Sequence, residues 1–170
     1  MTLETLIEDA RWQDLDLEAL AQAACNAVFG RMTLPAEFFE VSLMGCDDGR
    51  ITVLNADFRD KPTPTNVLSW PSEDRSAARA GLHPDRPDWD PKGMPVELGD
   101  IAISYDTCMR EAAAQNKQMH AHVTHLLVHG LLHLLGYDHI NDADAGLMEG
   151  LEVEILVKMG FSDPYRDIDG

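Results

Sequence analysis

The amino-acid sequence predicts an α+β protein in which a small mixed β-sheet packs with helices. Strand-like runs are confined to the first two thirds of the chain, and helical periodicity occupies both ends. The length supports one domain with a substantial core, because the 170 residues are 45% apolar. We therefore expect a single domain over residues 1–170.

The first predicted elements are one helix followed by three short strands. Residues 15–29 carry apolar side chains at three- and four-residue intervals, which predicts an amphipathic helix that Gly30 ends. Residues 38–44 and 51–54 are short runs of strand-forming residues that predict two strands. They are separated by CDDGR, whose Asp-Gly predicts the turn of a β-hairpin. Residues 67–70 predict a further strand.

The second half is mainly helical after one more strand. A polar loop rich in proline, aspartate and arginine spans about residues 71–97, and the LGDIAIS run at residues 98–104 predicts a buried strand. Helices are predicted at residues 107–116 and 120–135, with Gly136 as a stop signal. A last helix begins at Asp142.

Composition limits the classes of function. The net charge of −17 argues against broad, non-specific binding to nucleic acid, and no DNA is expected as a partner. The three cysteines form no CxxC pair, which favours a reducing cytoplasm. The N-terminus is acidic where a signal peptide needs lysine or arginine, and no apolar run is long enough to cross a membrane. We expect a cytoplasmic protein without membrane partners.

A histidine cluster suggests a metal site. His129 and His133 stand four apart on a predicted helix, so both imidazoles can reach one ion. The turn at Gly136 can then return His139 as a third ligand, leaving one coordination position for water, as in catalytic zinc sites. His125 is an alternative third ligand, in a helical stripe with His129 and His133. The metal is expected to be Zn²⁺, although such sites also accept nickel or another divalent ion.

The residues near the histidines limit which reaction a metal could catalyse. In the H-E-x-x-H motif of metallopeptidases the glutamate is the general base, but here Gly130 occupies that position. A metal-dependent peptidase or amidohydrolase would need another carboxylate. If the substrate is a phosphodiester, an arginine is the expected stabiliser of its charge, and Arg59 precedes a loop with Lys61 that could bind phosphate.

The string HGLLHLLGYDH, preceded by HVTHLLV, closely resembles the signature of the YbeY family, bacterial metal-dependent endoribonucleases of ribosomal RNA maturation and ribosome quality control. Three further segments resemble that family in the same order: LNADFRDKPTPTNVLSW, LGDIAIS and MEGLEVEILVKMGF. Together they cover about residues 54–161, apart from the loop. Two departures are Asn66, where the family usually has aspartate, and Trp70, where it usually has phenylalanine.

The resemblance implies zinc on His129, His133 and His139, in a cleft formed by a helix and its following turn, and a role for Arg59 in RNA cleavage. The implied function is a single-strand-specific, zinc-dependent endoribonuclease that matures the 3′ end of small-subunit ribosomal RNA. Its partners would be precursor ribosomal RNA and the ribosome or small subunit with associated proteins. The nucleophile is either zinc-bound water or an RNA 2′-hydroxyl.

Weaker predictions concern the surroundings of the metal. Asp138 and Asp100 could orient a ligand imidazole, since zinc-bound histidine usually donates its other N–H to an oxygen. Lys61 and His125 are further candidates for contacts with substrate or ligands. A non-enzymatic alternative is a ribosome assembly factor with a structural metal, which the acidic charge favours.

Overall fold

A four-stranded sheet organises residues 2–165, the part of the chain that the computed structural model describes. The strand order is β1-β2-β4-β3; β1, β2 and β4 run parallel, and β3 is antiparallel to β4. The predicted mixed sheet and α+β class are therefore confirmed. The strands are β1 (Thr2–Ile7), β2 (Phe39–Cys46), β3 (Val67–Pro71) and β4 (Val96–Ser104).

Helices cover both faces of this sheet. They are α1 (Arg11–Asp14), α2 (Leu17–Met32), α3 (Asp48–Arg59), α4 (Tyr105–Ala114), α5 (Met119–Leu134) and α6 (Asp142–Lys158). Side chains alternate across β4, so Ile101 and Ile103 join the large core with α2, α5 and α6, whereas Ala102 joins a small cluster under α3. Helix α5 is buried around most of its circumference and lies between α2, α6 and the sheet.

The predicted hairpin is wrong, because its second strand belongs to helix α3. The carboxylate of Asp47 accepts a hydrogen bond from the backbone N–H of Arg50 at 2.9 Å, which caps the helix. The Asp-Gly pair thus occupies a first helical turn instead of a β-turn. Strand β2 instead pairs in parallel with β4 on one side and, on the other, with β1, a strand that the sequence did not predict.

Other boundaries differ by a few residues. Helix α2 continues through Gly30 to Met32, and the reversal falls at Thr33, whose φ is 55°. The strands predicted at 67–70 and 98–104 and the helices predicted at 107–116 and 120–135 are present with shifted ends, and the last helix begins at Asp142 as predicted. Among the described residues, no helix combines the length and the hydropathy that crossing a membrane requires.

The long loop between β3 and β4 packs against the end of α5. The guanidinium of the buried Arg75 donates to the backbone oxygen of Leu134 at 3.1 Å, which satisfies a carbonyl at the C-terminus of that helix. His83 Nδ1 lies 2.9 Å from the hydroxyl of Tyr137 in the following turn. The loop therefore supports the turn that carries His139.

Candidate metal centre

Three histidines converge at the C-terminal half of α5. The Nε2 atoms of His129 and His133 are 3.1 Å apart, and one ligand atom from each of His129, His133 and His139 lies within 4.8 Å of the others. Two nitrogens that bind one tetrahedral zinc at ~2.0–2.1 Å stand about 3.3 Å apart, so the helical pair already has a suitable spacing. The donor set fits a divalent metal ion.

The return of His139 depends on the turn after α5. Gly136 has a φ of 103°, a conformation that other residues rarely adopt, and a Cβ there would lie 2.5 Å from the backbone oxygen of Arg75. The next residue, Tyr137, is buried and donates its N–H to the oxygen of Leu132 at 3.1 Å. This tight reversal places the exposed His139 beside the helical pair.

The electrostatics favour a neutral imidazole at His133. Burial lowers the pKa of His133 to about 4, and the neighbouring His129 and His139 add to the shift. A neutral imidazole has the free lone pair that metal binding requires. His133 is therefore ready to act as a ligand at neutral pH.

Glu152 on α6 is the group that sequence reasoning missed. Its carboxylate is fully buried, and Oε1 accepts a hydrogen bond from Nδ1 of His129, which leaves Nε2 of that ring for a metal. Burial by itself raises the pKa of Glu152, but hydrogen bonds from His125 and His129 outweigh burial and lower it to about 2. The sequence held a signal, since Glu152 interrupts the apolar face formed by Met148 and Ile155.

Arg59 lines the same cleft as the three histidines, and the cleft has a volume of about 310 Å³. Arg59 is the last residue of α3, and its charge contributes to the lowered pKa of His133. The loop after it is held by Asn55, whose side-chain amide donates to the oxygen of Thr63 at 2.9 Å. The structure thus brings Arg59 and the three histidines to one open cleft.

The weaker candidates fall in different places. Asp100 borders a separate apolar groove on the α3 face of the sheet and not the histidine cleft, so we do not retain it as an orienting group. The Asp138 carboxylate accepts from the N–H of Ile140 at 3.3 Å within the turn. Lys61 is exposed beside the cleft, and His125 faces Glu152, with Nε2 3.4 Å from Oε2, instead of completing the metal cluster.

Gly130 has a packing role at the position where the H-E-x-x-H motif has its glutamate. An ideal Cβ at this buried position would lie 3.0 Å from Oγ of Ser69 and 3.2 Å from Cδ1 of Ile101. Helix α5 therefore lies directly on β3 and β4 at this point. A side chain here would require Ser69 and Ile101 to shift by a few tenths of an ångström, and the glycine leaves the site without the general base of the H-E-x-x-H peptidases.

Asn66, one of the two departures from the family pattern, belongs to a polar network at the cleft. Its side-chain amide donates to both carboxylate oxygens of Glu111, at 3.0 and 3.3 Å, and its own oxygen accepts from the N–H of Val67. Glu111 also pairs with Nε2 of the buried His122 at 3.0 Å. The amide supplies a donor that an aspartate would lack.

Replacing Asn66 with aspartate is expected to lower the free energy of unfolding by about 1–2 kcal/mol, because two carboxylates would then face each other. Urea denaturation of Asn66→Asp beside the parent protein measures the loss. The double variant Asn66→Asp/Glu111→Gln restores a donor and should recover most of the stability. Equal stability of the parent and the single variant would show that this contact makes no net contribution.

The fold and the site together define a protein with a candidate tri-histidine metal centre in an open cleft. A family model described as Endoribonuclease YbeY matches residues 4–160. The chain belongs to this family, and the resemblance found in its four sequence segments is confirmed.

Curated relatives and one solved structure agree with the family assignment. Endoribonuclease YbeY of Ruegeria pomeroyi is 58% identical, covering 97% of this chain and 98% of the relative. That of Cereibacter sphaeroides is 54% identical, covering 96% and 98%. The solution structure of a Thermotoga maritima protein is 19% identical with a TM-score of 0.55, covering 97% of this chain and 99% of that chain, which supports the fold alone.

Proposed function

We propose that this chain is a zinc-dependent endoribonuclease that cleaves single-stranded RNA at the cleft between Arg59 and the three histidines. Its family is one of endoribonucleases, so the class of reaction is cleavage of phosphodiester bonds within RNA. The observation that carries the site is the convergence of three imidazole ligand atoms within 4.8 Å beside an exposed arginine. We further propose maturation of the 3′ end of small-subunit ribosomal RNA and ribosome quality control as its role.

His129, His133 and His139 would hold the ion. A bound zinc ion supplies Lewis acidity toward a phosphoryl oxygen and lowers the pKa of a water molecule. Glu152 keeps the His129 ring in the orientation that directs Nε2 into the cleft. The metal therefore depends on α6 as well as on α5 and its turn.

Arg59 would stabilise the negative charge that builds on the phosphodiester. Its planar guanidinium can donate two parallel hydrogen bonds to phosphate oxygens, and its exposure leaves it free to do so. The attacking group is either water or the RNA 2′-hydroxyl. The products distinguish them, because attack by the 2′-hydroxyl leaves a 2′,3′-cyclic phosphate and attack by water does not.

The acidic surface favours delivery of RNA by the ribosome. A net charge of −17 opposes tight binding to naked RNA, whereas basic ribosomal proteins exposed on a small subunit offer local positive patches that can bind an acidic protein. We therefore propose precursor ribosomal RNA within a small-subunit particle as the substrate. A non-catalytic assembly factor with a structural metal is the alternative that this charge also fits.

Cleavage of a small-subunit ribosomal RNA precursor by the zinc-loaded protein tests the proposal. We expect His129→Ala to lower the rate at least about 100-fold, because it removes a metal ligand. His139→Ala should do the same, and since His139 is exposed, its loss leaves the core intact. Variants prepared in parallel control for contaminating nuclease.

Three outcomes would overturn the ribonuclease proposal. Equal cleavage by the parent and both histidine variants would mean that the activity is not that of this cleft. RNA or subunit binding without turnover, together with a lower melting temperature for His133→Ala, would favour the assembly factor. Peptide cleavage lost in His129→Ala would instead support the peptidase alternative.

A further inference from the structure

The chain beyond α6 returns to the metal cleft. Gly160 has a φ of 96°, and the N–H of Phe161 bonds the oxygen of Leu156 at 2.9 Å, which reverses the chain after the helix. We name residues 159–165 the C-terminal strap. The strap is anchored near the start of α5, where the ring of Phe161 lies 5.9 Å from that of His120.

The far end of the strap is also fixed. Lys117 Nζ donates to the backbone oxygen of Pro164 at 3.1 Å, and the carboxylate of Asp163 accepts from the N–H of Tyr165 at 2.8 Å. These contacts deliver Tyr165 to the cleft that Arg59 and the three histidines line. Tyr165 thus belongs to the same cavity although it lies more than twenty residues after His139 in the chain.

Tyr165 contacts the carboxylate that orients His129. Its hydroxyl donates to Oε2 of Glu152, while Oε1 accepts from Nδ1 of His129. Its ring lies edge-to-face with His125, with centroids 5.3 Å apart. Tyr165 as a residue is 47% exposed, but its hydroxyl end is partly buried against Glu152, and this burial, the hydrogen bond to Glu152 and the charge of Glu152 all raise its pKa, so the phenol remains a donor.

A fully buried carboxylate needs donors on both oxygens. On Oε2 the other donor is Nε2 of His125 at 3.4 Å, a long contact that is shared, because the same nitrogen lies 3.3 Å from the Tyr165 hydroxyl. Without the phenol, the carboxylate could rotate toward other donors, and Oε1 would then turn away from His129. The phenol is therefore the group that keeps Oε1 directed at the histidine.

We propose that Tyr165 is a positioning residue of the metal centre, acting through Glu152 to hold the His129 imidazole in the orientation that binds the ion. The inference rests on the proposed metal site. This role makes the C-terminal strap part of the metal centre, because the Tyr165 hydroxyl on the strap controls the orientation of the His129 ring on α5.

Zinc affinity, measured by competition with a chromophoric chelator, tests this role without reference to cleavage. We expect Tyr165→Phe, which retains the ring, to weaken zinc binding about 3- to 10-fold, at the lower end of what outer contacts contribute. Tyr165→Ala should weaken it at least as much. Tyr105→Phe is the matched control, since Tyr105 packs against Trp12 at the start of α4 and should leave the affinity unchanged.

A second readout separates positioning from stability. In ¹⁵N spectra of the zinc-loaded protein, the Nδ1–H signal of His129 should exchange faster with solvent in Tyr165→Phe than in the parent. Thermal unfolding of each variant shows whether the fold is retained, and a change in exchange without a change in melting temperature marks positioning.

One result would contradict the positioning role alone, and another would contradict the metal site on which it rests. If Tyr165→Phe binds zinc as the parent does and only Tyr165→Ala is weaker, the ring is a wall of the cleft and the positioning role is wrong. If neither the parent nor His129→Ala binds zinc in the chelator assay, the proposed metal centre does not exist. The positioning role of Tyr165 is then wrong as well.

Discussion

Replacing Glu152 with alanine is expected to weaken zinc binding roughly 10- to 100-fold and to lower the free energy of unfolding by about 2–4 kcal/mol. The variant removes the acceptor of His129 Nδ1 and leaves a cavity where a fully buried side chain stood. It also leaves the donors of His125 and Tyr165 without their acceptor. Chelator competition and urea denaturation measure the two effects.

Two further variants make the Glu152 result specific. Glu152→Gln keeps the volume and one oxygen but loses the charge, so it should reduce zinc affinity about tenfold with a smaller loss of stability. Glu154→Ala is the matched control on the same helix, because Glu154 forms an exposed ion pair with Arg31 and its removal should change stability by less than about 1 kcal/mol. Unchanged zinc affinity in both Glu152 variants would assign Glu152 to folding alone.

Arg59→Gln is expected to lower kcat for RNA cleavage about 100- to 1000-fold while changing zinc affinity only slightly, because the charge of Arg59 contributes least to the shifted pKa of His133. The size of the effect follows from losing a charged donor at the place where phosphoryl charge develops, and the metal ligands themselves are not altered. Single-turnover cleavage at saturating RNA separates this loss from weaker binding.

Arg50→Gln is the control for Arg59→Gln. Arg50 lies at the opposite end of α3, where it pairs with Glu8 at 3.2 Å, so the variant makes the same change in net charge on the same helix. If the two arginine variants reduce cleavage equally, the effect is one of overall charge, and Arg59 has no specific role. Arg59→Lys should recover only part of the rate, because an ammonium lacks the paired donors of a guanidinium.

The fold was predictable where the pattern was local and long. The helices around His129 and Met148 were recognised because apolar periodicity over many residues reports on helical geometry alone. Helix α3 was misassigned because Asp-Gly suits both a β-turn and the first turn of a helix. Strand β1 was missed, and its place in the sheet depends on β2, which lies more than thirty residues away.

The residues of the candidate site were likewise predictable where their relation in the sequence is local. The sequence by itself determined the grouping of His129, His133 and His139, because the four-residue helical spacing and the turn at Gly136 are short-range geometry. The family resemblance added Arg59. These residues could be named because each relation spans a few peptide units or a recognisable motif.

Only the tertiary structure decided which groups surround those histidines. It brought Glu152 and Tyr165 to His129 and placed Asp100 on the other face of the sheet, bordering a different groove. The physical reason is that such contacts depend on how α6 and the C-terminal strap pack on α5 and on which way each residue of β4 points. Neither is encoded in the local spacing of the residues concerned, so side chains far apart in the chain become neighbours only when the core assembles.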